Sequence, residues 1–171
     1  MPERDFIGEI IKYSFSGVIP MEELYKAIFK WAKLYGYKVI EKEHKTALSL
    51  ERKDYVFNWT IERKPTDYIK FKIDTEVKVK SLKEVKTKAA KKKYYKGDID
   101  FMLIAYFEKD YEDAFGKNPL IKFTREVFDK YLTESKMQRL EKELLRDRDK
   151  LLSEIKAFLE VQRLKTAEEE K

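Results

Sequence analysis

The chain reads as α+β: a largely antiparallel sheet of about five strands with one helix packed on it, then one or two C-terminal helices, the last one long. Three observations carry this. In YIKFKIDTEVKVK, Ile69, Phe71, Ile73, Val77 and Val79 alternate with Lys70, Lys72, Asp74, Glu76, Lys78 and Lys80. An apolar row opposite a charged row is the pattern of a strand in an antiparallel sheet with one wet face. In PMEELYKAIFKWAKLYG, Leu24, Ile28, Trp31 and Tyr35 recur at helical spacing. From Leu120 to Lys171 there is neither glycine nor proline.

The elements follow in order. EIIKYSFSGVI sets Ile11, Tyr13 and Phe15 against Lys12, Ser14 and Ser16, a strand expected to end at Gly17 and Pro20. Pro20 suits the first turn of a helix, Glu22 and Glu23 meet the positive end of its dipole, and Gly36 suits its C-cap. Strands are expected over Tyr37–Lys45 and over DYVFNWTIERK, where Tyr55, Phe57, Trp59 and Ile61 share a face. Lys64-Pro65-Thr66-Asp67 has turn chemistry and leads into the alternating strand. DIDFMLIAYF is apolar on both faces and reads as a central strand.

After the loop EDAFGKNP, Phe123, Val127, Phe128 and Tyr131 mark one helix. Ser135 with Gln138 fits a capping box that starts the next. Its stripe is Met137, Leu140, Leu144, Leu151, Ile155 and Phe158, widened by Leu145, Leu152 and Leu159 and interrupted by RDRDK at 146–150. From Ser135 to Lys165 such a helix is ~45 Å long at 1.5 Å per residue. The expected division is a sheet domain, 1–132, and a helical arm, 133–171, whose last residues, TAEEEK, fray.

Composition removes several function classes. The 171 residues are 43% hydrophobic, enough for a core, and 41% charged, well above the usual quarter. With no cysteine, disulfides, thiolate nucleophiles and Cys-based zinc sites are excluded. High Lys and Glu without Cys resembles proteins from hot environments. No apolar run approaches the ~18 residues of a membrane span, and MPERDFIGEI has acids where a signal peptide is basic and then apolar. The expected location is the cytoplasm.

The net charge of +6 is unevenly placed. Residues 78–96 hold nine lysines and one glutamate, so the rest of the chain is slightly acidic. Lys86, Lys88, Lys91, Lys92, Lys93 and Lys96 with Tyr94 and Tyr95 combine phosphate-pairing charge with rings that stack on bases. The stretch has no arginine, so bidentate guanine reading is absent and contact would be to the backbone. An anionic membrane surface satisfies the same charges less specifically. The plain alternative is a solvated connector between two strands.

Catalytic signatures are weak. His44, between Glu43 and Lys45, reads as a surface residue, and there is no G-x-S-x-G, Walker loop or G-x-G-x-x-G. Asp98 and Asp100 share a strand face, while Glu108, Asp110, Glu112 and Asp113 lie about ten residues on, ~30 Å away. The first pair reads as neutralising lysines and the second group as solvating a loop. Glu-x-Lys after an acid resembles the PD-(D/E)xK nuclease pattern, in Asp54 with Glu62 and Lys64, and in Asp67 or Asp74 with Glu76 and Lys78. In such a site carboxylates hold a metal and the lysine orients water. A solvated strand face accounts for Glu76 and Lys78 equally well.

Glu23-Leu24-Tyr25 and Trp31 on the first helix, Gly36-Tyr37 after it, and Asp67-Tyr68 with Phe71 form a pattern similar to uncharacterised proteins of archaea. The resemblance covers most of the chain and implies no activity. The expected function is a non-enzymatic binding or assembly module without cofactor, metal or catalytic residue, associating with itself or a protein partner through the C-terminal helix. The alternative is a sequence-independent nucleic-acid-binding or ribosome-associated protein using residues 86–96. A metal-dependent nuclease comes third.

Overall fold

The computed structural model describes residues 3–48, 53–85, 94–109 and 134–169. The elements are β1 (Glu3–Ile19), α1 (Met21–Leu34), β2 (Lys38–Leu48), β3 (Lys53–Arg63), β4 (Ile69–Val85), β5 (Tyr94–Lys109) and α2 (Glu134–Glu169). The five strands form one sheet in the order β1-β5-β4-β3-β2, with antiparallel neighbours throughout. The α+β fold, the strand-helix-four-strand order and the long last helix are those expected. The helix expected around Phe123–Tyr131 and the loop before it lie outside the described residues.

β2 to β5 form a meander, and β1 closes on the far side of β5. β1 and β2 are therefore opposite edges, and α1 carries the chain between them. Its 14 residues span ~21 Å, close to the ~19 Å across four strand gaps. Gly36, at φ +73°, takes the left-handed conformation that ends such a helix, and Tyr37 N–H donates to the Ala32 carbonyl.

As far as the bulge after Lys80, the pleat puts the odd-numbered residues of β3, β4 and β5 on one face. Trp59 stands opposite Thr75, Ile61 opposite Ile73, Phe71 opposite Phe107 and Val77 opposite Phe101. Leu24, Ile28 and Trp31 of α1 bury against this face, and α2 joins the same core. The Phe71 and Phe107 rings stack at 5.4 Å.

The helical stripe expected to mediate association is buried in the chain's own core. Leu140, Leu144, Leu151, Leu152, Ile155 and Leu159 are core residues, with Met137, Leu145 and Phe158 packed against them. β1 and β4 each run 17 residues, ~56 Å at 3.3 Å per residue, long enough to cover a helix of the expected ~45 Å. The exposed apolar side chains of α2 are Val161 and Leu164, near its C-terminal end.

Two further differences have local causes. β1 starts at Glu3 and runs through Gly17 to Ile19, because an edge strand pairs through its backbone and needs no side-chain pattern. Gly17 stands opposite Gly97, and a Cβ on Gly97 would come within 2.8 Å of the Lys80 carbonyl, so a side chain there displaces a neighbouring strand. The charged row of β4 is not uniformly wet. Lys72 pairs with Glu108 and, at 3.8 Å, with Glu62, while Lys70 lies 3.6 Å from Glu62. Acids on the two flanking strands draw these lysines flat onto the sheet, leaving their side chains 14% exposed or less.

Candidate nucleic-acid interface

β4 and β5 make one long hairpin whose ladder closes with Lys83 opposite Lys96, Glu84 opposite Tyr95 and Val85 opposite Tyr94. Residues 86–93 link Val85 to Tyr94, and within that link Lys86, Lys88, Lys91, Lys92 and Lys93 lie outside the described residues. The sequence 86–93 has five lysines and no acid in eight residues.

The charge changes along the hairpin in steps. Near its middle, Lys78 pairs with Glu76 at 2.9 Å, and Lys80 pairs with Asp100 at 3.4 Å. Asp98 and Asp100 also serve β1: Ser16 Oγ donates to Asp98 and Ser14 Oγ to Asp100, each at 2.6 Å. The hydrogen bond from Ser14, and then Lys80, hold the Asp100 carboxyl below the ordinary aspartate range. That stabilisation is present at neutral pH and is lost as pH falls through the lowered value. Ser14→Ala should move the Asp100 titration upward, toward the ordinary value, in an NMR pH titration. An unmoved Asp100 would show that Lys80 alone sets it.

Beyond Asp98 the compensation stops. Lys83 and Lys96 are both exposed, stand directly across the ladder from each other, and make no ion pair among the described residues. Like charges directly opposite on a sheet are destabilising unless something anionic lies between them. Ser81 enters this end at φ +59° in a bulge between Lys80 and Lys83, and its N–H donates to the Asp54 carboxylate at 2.9 Å. Of the two rings expected to stack on bases, Tyr95 packs against the core, and Tyr94 is half-buried at the first position of β5.

The structure separates most of the nuclease candidates. Asp54 and Glu62 are eight residues apart on β3, ~26 Å, and Asp67 is farther still from Glu76. Asp74, Glu76 and Lys78 do share the face of β4 away from the helices. There Thr60 Oγ1 donates to Asp74 at 2.6 Å and Lys42 Nζ lies 3.5 Å from it. Glu76 turns to Lys78. No group of three metal-ligating side chains comes together among the described residues. Asp110, Glu112 and Asp113 lie outside them, and His44 takes a register position opposite Phe57. No described helix is long and apolar enough to cross a membrane.

Sequence reasoning missed the polar contacts that seat α2. Arg63, at the end of β3, donates to Glu143 at 2.5 Å and to Asp147 at 3.1 Å, and Tyr37 Oη donates to Asp147 at 2.8 Å. The guanidinium also lies over the Tyr37 and Phe71 rings, 5.0 and 5.2 Å from their centroids. At the next residue of α2, Arg148 Nη1 donates to the Glu9 carbonyl where β1 bulges. The only local signal was RDRDK itself, a polar break in an apolar stripe.

No family model and no curated protein matches the chain. Five solved chains match. One, titled delta-endotoxin, has a TM-score of 0.36 and 9% identity, covering 63% of this chain and 61% of that one. The chain thus spans about three fifths of that protein's length, and a likeness this distant carries no argument about fold or activity.

Proposed function

We propose that the protein is a non-enzymatic binding module that grips the phosphate backbone of nucleic acid with the basic end of the β4–β5 hairpin. The observation that carries this is the uncompensated pair Lys83 and Lys96, facing each other at the mouth of a link with five more lysines. Residues 83–96 hold seven lysines and one glutamate. A phosphate between Lys83 and Lys96 would turn a repulsive ladder position into an attractive one. Lysines position a backbone and do not read bases, so binding is independent of sequence. Half-buried Tyr94 offers one ring edge to a single strand, a smaller stacking contribution than two free tyrosines would give.

The test is a fluorescence anisotropy titration with two labelled oligonucleotides of unrelated sequence, each single-stranded and duplex, and anionic vesicles as competitor. Saturable binding with Kd values within about threefold between sequences is expected, a difference below 1 kcal/mol. A preference of a hundredfold for one sequence, or displacement by vesicles with no oligonucleotide binding, would overturn the proposal.

A second reading, self-association through α2, now rests on its C-terminal end, where Val161 is 47% and Leu164 65% exposed. Two side chains make a much smaller surface than a stable interface needs. This reading expects Val161→Lys with Leu164→Lys to lower the mass measured by light scattering, and a parent that is already monomeric at micromolar concentration ends it.

A further inference from the structure

A second site, independent of the lysine hairpin, lies on the helix-covered side of the sheet. The N-terminal turns of α1 stand over β2 and β3 and leave a cavity of about 360 Å³, lined by Met21, Glu22, Leu24, Tyr25, Glu41, Phe57 and Trp59. That volume is within the ~300–1,000 Å³ of small-molecule pockets. Tyr25 meets Trp59 at 5.5 Å and 72°, so two aromatic walls form a corner. Phe57 adjoins Trp59 at 5.9 Å as a third ring.

The acid at this corner is fixed in place. Tyr25 Oη donates to Glu41 Oε1 at 2.6 Å. Burial, and then this hydrogen bond, push the Tyr25 hydroxyl up to about 12, so it remains a donor at every physiological pH. A neutral hydroxyl orients the carboxylate without cancelling its charge. Among the described residues Glu41 makes no ion pair.

From this geometry we infer that the cavity binds a small quaternary ammonium compound. Ring faces carry negative potential, and several rings with a carboxylate suit a cation too weakly hydrated to prefer water. A bare metal ion would need several carboxylate or imidazole ligands; Glu22 is held by Lys26 at 2.7 Å, and no third ligand joins it and Glu41 among the described residues. A purely apolar guest would gain nothing from the oriented Glu41 carboxylate, which lies at the exposed edge of the corner.

The experiment is calorimetric titration of the full chain with choline and with 3,3-dimethylbutan-1-ol, which has the same shape with carbon in place of the charged nitrogen. Choline should saturate the protein in the millimolar range or tighter, and the neutral isostere should bind at least about tenfold more weakly, as loss of the cation–ring and carboxylate attractions requires. Phe57→Leu should weaken choline roughly threefold to tenfold, and Glu41→Gln by a similar factor, through the ring and charge contributions respectively. Glu41 is exposed on its strand, so Glu41→Gln remains informative if Phe57→Leu fails to fold. Equal affinity for choline and the isostere, no saturation by ~10 mM choline, or unchanged choline binding in Glu41→Gln would overturn the inference. A trimethyl-lysine peptide binding more tightly than choline would overturn the small-molecule assignment.

Discussion

Asp147→Ala should lower the unfolding free energy by about 3 kcal/mol in a chemical denaturation series. Asp147 is 4% exposed and holds two donors from distant parts of the chain, Tyr37 Oη and Arg63 Nη2. Removing it leaves the Tyr37 hydroxyl buried without its acceptor and Arg63 with Glu143 alone. Arg63 Nε already has no hydrogen-bond partner among the described residues, so the guanidinium has little reserve. Glu143 is 31% exposed, which keeps the cost toward the lower end of the ~3–5 kcal/mol for breaking a buried pair. Asp147→Asn keeps an acceptor for Tyr37 and should cost less, and Tyr37→Phe should cost about 1 kcal/mol, one hydrogen bond. A loss below about 1 kcal/mol in Asp147→Ala would mean that the apolar stripe seats α2 unaided.

Replacing Lys91, Lys92, Lys93 and Lys96 with Gln should weaken nucleic-acid binding by up to about a thousandfold at 0.1 M salt, because each phosphate that a lysine no longer neutralises removes ~0.7–0.9 from the salt slope. The net charge falls from +6 to +2. Stability should hold or rise slightly, because the exposed Lys83 is freed of the like charge opposite it. The weakening should be equal for all sequences. Tyr94→Ala should cost less than the four-lysine change and mainly for single strands. A variant that binds as the parent does would make the stretch a solvated connector.

The sheet was legible because its apolar rows face one core. Ile69, Phe71, Ile73, Val77 and Val79 announce a period of two, and Leu24, Ile28 and Trp31 a period of 3.6, whatever their partners are. The beginning of β1 was not legible: Phe6 on this edge strand is 66% exposed, and the pairing is made by backbone. Nor was the seat of α2. Arg63 and Asp147 are 84 residues apart, and an interaction at that separation leaves no local period. Asp147 and Arg148 therefore read as an interruption, although they are where the helix is held. The same blindness left the stripe of α2 without visible partners, since the sheet residues that cover it lie far away in sequence. Of the candidate interface, the lysines and tyrosines were visible as composition. Register was needed to place Lys83 opposite Lys96 and to turn Tyr95 toward the core.

The slope of log K against log salt, measured for a duplex oligonucleotide between ~50 and ~200 mM salt in the parent and the four-lysine variant, tests the binding end most directly. The hairpin reading expects a linear, steep dependence in the parent, about −4 or steeper, reduced by roughly 3.6 in the variant, where about four phosphates keep their counterions. No binding by the parent at ~50 mM salt, or the same slope in both proteins, would contradict it.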